Sequence, residues 1–152
     1  GFDFGATALV LQWHVIGMFA PGFVTGQLIK RFGALAVMAA GLGLNGLCVA
    51  VALTGLALHQ FLAALLLLGV GWNFLFTGGT ALALRAWRPE EKDRAQAAIN
   101  FCVFATMAVT SLASGALVTT QGWRWLNLAS LLPLLLLGAA LAWLARRPRT
   151  TA

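Results

Sequence analysis

The stretch LHQFLAALLLLGVGWNFLFTGGTALAL, residues 58–84, runs directly into RAWRPEEKDRAQAAI, residues 85–99. The first part contains no Lys, Arg, Asp or Glu. As a helix rising about 1.5 Å per residue it extends about 40 Å, more than the roughly 30 Å hydrocarbon core of a bilayer. The second part gathers Glu90, Glu91 and Asp93, three of the chain's four acidic residues, with Arg85, Arg88, Lys92 and Arg94. Such a segment cannot follow the first into lipid, so the pair reads as a membrane-crossing helix and the polar connection that ends it.

Outward from this stretch the same contrast recurs. Of 152 residues 61% are hydrophobic and 9% charged, whereas an ordinary soluble domain carries about 25% charged residues. A water-soluble fold of this size would lack the polar groups to cover its surface, which leaves an integral membrane protein. The net charge of +6 does not point to nucleic acid, because the basic residues fall in short clusters between apolar runs, where they act as topology signals. Cys48 and Cys102 lie inside apolar runs with no His or Cys at ligand spacing, and are expected to be small buried apolar residues. The opening GFDFGATA has no basic segment of the signal-peptide kind, and the chain reads as part of something longer.

Five spans are predicted, over residues 8–29, 34–54, 58–84, 98–119 and 126–144, with a cytoplasmic loop at 85–97. Pro21 should kink the first span, since it offers no backbone donor. Gly22 and Gly26 form a GxxxG pair suited to close helix approach. Within the loop, PEEKDRAQA reads as a short amphipathic helix with Pro89 in its first turn, and GWRW at 122–125 reads as an interfacial turn. A closed barrel would need alternating segments of about ten residues. The expected fold class is therefore all-α, a polytopic transmembrane helical bundle.

Short connections put successive loops on alternate sides. One side then receives Lys30, Arg31, Arg85, Arg88, Lys92, Arg94, Arg146, Arg147 and Arg149, and the other only Arg124. Nine against one is a strong positive-inside asymmetry, so the C-terminus and the loops after the first and third spans are expected to be cytoplasmic.

The octet GQLIKRFG, residues 26–33, resembles the cytoplasmic loop motif G-x-L-x-D-R-x-G of major facilitator superfamily transporters. Gly26, Leu28, Arg31 and Gly33 match, and Lys30 stands where the family carries Asp. The tract GWNFLFTGGTALALRAWRPEEKDRAQAAINF, residues 71–101, is similar to the tenth-helix, loop and eleventh-helix region of a bacterial branch of that superfamily. In such proteins the motif follows the second helix of each six-helix half. The resemblance therefore implies that the five spans correspond to helices eight to twelve, the C-terminal half without its first helix. It further implies a bacterial inner-membrane location, an N-terminal half as partner, and a substrate path between the halves worked by alternating access. Spans one, three and four would line that path, and spans two and five would lie outside it.

Candidate site residues follow from polarity at membrane depth. His14 is the ionisable side chain well inside an apolar run, a candidate for substrate binding or proton handling, or a helix-helix hydrogen bond near the outer interface. Asn73, Thr77 and Thr80 recur at i, i+4 and i+7 with Trp72 beside them, a stripe able to orient a polar substrate group or to join helices. Arg88, Glu90, Glu91 and Arg94 could pair with Lys30 and Arg31, between Gly26 and Gly33, to latch the cytoplasmic face; the alternative is a solvated loop that sets topology.

No H-E-x-x-H, G-x-S-x-G or phosphate-binding loop occurs, and neither does an intramembrane carboxylate pair. Catalytic and metal-ligating residues are accordingly not assigned, no cofactor is expected, and the chain is not read as an enzyme. The expected function is secondary transport of a small solute, with a coupling ion such as H+ and with the lipid bilayer as surroundings. A helical scaffold subunit, and more remotely a polytopic membrane enzyme, are the alternatives.

Overall fold

A computed structural model describes residues 3–147, so Arg149 lies outside the described residues. The described residues form six α-helices: α1 (Phe4–Phe19), α2 (Gly22–Phe32), α3 (Ala34–Thr54), α4 (Leu58–Arg85), α5 (Lys92–Gln121) and α6 (Trp123–Arg146). Together α1 and α2 make one span, so five stretches are long and apolar enough to cross a membrane. No strand occurs among the described residues.

Local chemistry sets the helix ends. Asp3 caps α1, its Oδ1 accepting from the Ala6 N–H at 2.7 Å. At Pro21 the missing donor and the ring break the ladder, and a new helix starts at Gly22. The kink expected there is a break. The joints between α2 and α3 and between α5 and α6 are single glycines, Gly33 at φ 87° and Gly122 at φ 85°, a region closed to other residues without strain.

Two connections are shorter than the sequence suggests. A 3-10 turn, Pro89–Glu91, leads straight into α5, so KDRAQA forms the opening turns of the membrane-crossing helix instead of a separate one. The Ala-rich run across Ala95, Ala97 and Ala98 contains no Gly or Pro to stop it. Likewise α6 resumes at Trp123, so the interfacial turn shrinks to Gly122.

Helix α4 is the centre of the molecule. It packs along α1 and along α3, which do not approach each other; α6 covers another side of α3, and α5 touches only α6, the 3-10 turn and α4. The contacts are made by small residues. A Cβ on Gly69 would stand 2.5 Å from the His14 carbonyl oxygen, and one on Gly71 2.9 Å from the Gly41 carbonyl oxygen. Large side chains point outward instead, among them Phe23, Phe101, Leu112 and Leu135. Lipid solvates apolar groups as well as a protein interior does, so helices associate where their backbones can come close. Gly26 of the expected GxxxG pair is not used that way, since an added Cβ there meets nothing within 4 Å. Cys48 is buried as expected, but Cys102 is exposed, because α5 turns most of its surface away from the bundle.

Candidate functional site

The break at Pro21 frees the Met18 carbonyl from the helical ladder near the end of α1, which closes 16 residues into the 29-residue first span. Bare carbonyls at that depth need a partner. Asn73 supplies it from α4, its Nδ2 donating to the Met18 oxygen at 2.8 Å. The same side chain accepts at Oδ1 from the Thr25 hydroxyl at 2.7 Å, and that hydroxyl also lies 2.8 Å from the Pro21 carbonyl oxygen. A hydroxyl has one proton, so these two acceptors share it. Thr25 is wholly buried and Asn73 nearly so. One amide thus ties α1, α2 and α4 together at a discontinuous helix, and one of its two N–H groups remains for another acceptor.

His14 lies on the same α1–α4 seam. Its Nδ1 is 2.8 Å from the Leu65 carbonyl oxygen; a carbonyl can only accept, so the proton sits on Nδ1. Leu65 precedes Asn73 by eight residues, about 12 Å along α4. The other members of the polar stripe are less engaged. Trp72 stacks on Phe76, ring centroids 4.8 Å apart and planes 7° from parallel, so its partner is its own helix. Thr77 is half-buried, and the Thr80 hydroxyl is buried with no hydrogen-bond partner among the described residues.

At the opposite end of the first span, Lys30 and Arg31 occupy the last turn of α2, favourably placed against its dipole. Arg31 also sits over the Phe32 ring, 5.2 Å from the centroid. Gly33 makes the positive-φ joint. Arg88, Glu90, Glu91 and Arg94 are exposed, and α2 does not approach either the 3-10 turn or α5. The two halves of the expected latch are therefore apart in this conformation. A cavity of about 540 Å³ between the end of α4 and the start of α5 is lined by Trp87, Glu91 and Arg94.

Thr25 was not among the expected site residues. Its signal was present: a hydroxyl four residues after a mid-span proline, where it can back-bond to the proline carbonyl.

Across residues 1–152 the chain matches the profile of the Major Facilitator Superfamily. The chain belongs to this superfamily. Among curated members, a riboflavin transporter, RfnT, of Brucella anthropi is 42% identical over 127 residues, covering 84% of this chain and 32% of that protein. Two uncharacterized MFS-type transporters of Bacillus subtilis, YdeG and YddS, are 30% and 31% identical over 94% and 97% of the chain, and 34% of each relative is covered. The chain thus spans about a third of the length of the curated superfamily members it matches. No solved structure matches it significantly.

Proposed function

We propose that the protein containing this chain is a secondary active transporter that moves a small solute across the bacterial inner membrane by alternating access. The match to a transporter superfamily along all 152 residues carries this reading. The geometry supports it, because secondary transporters place their sites near the midplane at broken helices, and α1 and α2 form such a helix with Thr25 and Asn73 at its break. On this reading the seam lined by His14, Asn73, Thr77 and Thr80, with Trp72 beside it, forms one wall of the path. Lys30 and Arg31 meet Arg88, Glu90, Glu91 and Arg94 when the cytoplasmic face closes. The C-terminus is cytoplasmic, the remaining helices come from an N-terminal half, and a coupling ion such as H+ drives the cycle.

Riboflavin is the first substrate to try, given 42% identity to a protein named as its transporter. Bacteria that cannot synthesise riboflavin, expressing the whole protein, should take up radiolabelled riboflavin in a saturable manner, and an uncoupler should stop it. Uptake equal to that of empty-vector cells, with the protein confirmed in the membrane, would reject riboflavin as the imported solute.

A further inference from the structure

Away from the α1–α4 seam, α3, α4 and α6 line a second, half-open cavity of about 350 Å³, within the range of small-molecule sites. Its walls are mostly apolar, Leu65 and Leu68 from α4 and Leu134 from α6 among them. Two buried carboxamides interrupt them. Asn45, 6% exposed, uses Nδ2 on the Gly41 carbonyl oxygen at 2.9 Å, and Asn127, 9% exposed, uses Nδ2 on the Trp123 carbonyl oxygen at 2.9 Å. Among the described residues neither Oδ1 accepts a hydrogen bond, and neither is sealed off inside the protein. Trp123 closes the outer end, its indole N–H held by the Ala52 carbonyl oxygen at 2.8 Å and its ring 5.0 Å from that of Phe61.

We propose that this cavity binds a small, mostly apolar molecule bearing one hydroxyl or N–H group, of the phenol or indole class. Its ring fills the leucine-lined space and its single donor is shared between the Oδ1 atoms of Asn45 and Asn127. A plain hydrocarbon chain would leave both oxygens unpaired, and buried carboxamides need partners. Because the site uses α3 and α6 and not α1, it is separate from the proposed substrate path and touches it only through α4.

The test uses the whole protein in lipid nanodiscs and the pair 4-fluorophenol and 4-fluorotoluene, which differ by a hydroxyl against a methyl, observed by fluorine NMR. Saturable binding of the phenol above its partition into protein-free nanodiscs is expected, about tenfold tighter than the toluene, the factor one well-made hydrogen bond supplies. The double variant Asn45→Leu/Asn127→Leu, which removes both acceptors, should bring the two compounds to within about threefold. Leu134→Trp narrows the cavity without touching either carboxamide and should weaken both compounds. Absence of saturable binding, as a cavity holding only water would give, overturns the proposal; so does equal affinity for the pair. Discrimination that survives loss of both carboxamides, or affinities that Leu134→Trp leaves unchanged, place the binding elsewhere and overturn it as well. The wild-type comparison decides even where a variant fails to fold.

Discussion

Asn73 shows how one polar residue can be read in two ways at once. Its position in an apolar helix was visible in the sequence as a functional candidate and equally as a joint between helices. The structure gives it two partners, Thr25 and Met18, across a break that Pro21 creates. Polar contacts between membrane helices average about 0.6 kcal/mol in double-mutant cycles, with a maximum of about 1.7. Thr25→Val and Asn73→Leu, alone and combined, should therefore show a coupling of about 0.6 to 1.7 kcal/mol in equilibrium unfolding of the whole protein. Additive effects would mean that the bond contributes nothing. The pairing itself was not legible beforehand: Thr25 and Asn73 lie 48 positions apart, and only the packing of α2 on α4 brings them together.

At the scale of elements, the number of spans among the described residues follows from hydropathy, because the bilayer demands a long apolar run for each crossing. Which faces meet does not follow. Gly22 and Gly26 have the spacing of a contact motif, yet the close approaches occur at Gly17 with Leu66, Gly69 with His14, and Gly41 with Gly71. Spacing fixes which residues share a face, while tertiary packing decides which face is covered. Alanine substitution separates the two kinds of glycine. Gly69→Ala pushes a methyl group against the α1 backbone and should lower the thermal midpoint of the protein by several degrees, an overpacking cost of about 1–3 kcal/mol. Gly43→Ala, with nothing within 4 Å of its new Cβ, should be neutral or stabilising by up to about 1 kcal/mol through helix propensity. Equal losses at the two sites would contradict the packing described. The continuity of α5 through the charged segment was equally hidden, since Pro89 marks where a helix can start and says nothing about where it stops.

For the molecule as a whole, the arrangement of charge was the clearest signal, and it gives a direct test of orientation. In otherwise cysteine-free whole protein, Lys92→Cys should react with a membrane-impermeant maleimide only in inside-out vesicles, and Arg124→Cys only in intact cells or right-side-out vesicles. The reverse pattern would invert every assignment of inside and outside made above. The outward surface of α5, with Phe101, Phe104 and Leu112 exposed, is the part of the molecule least explained by its own helices.

The notches at Gly69 and Gly71 have a mechanical corollary. With main chain nearly touching main chain on both flanks of α4, sliding α4 past α1 or α3 would drive the side chains that flank Gly69 and Gly71 into the carbonyl oxygens of His14 and Gly41. That interlock favours α1, α3 and α4 remaining one stiff keel, and α5, which has few contacts with that keel, is the element of this chain least bound by it.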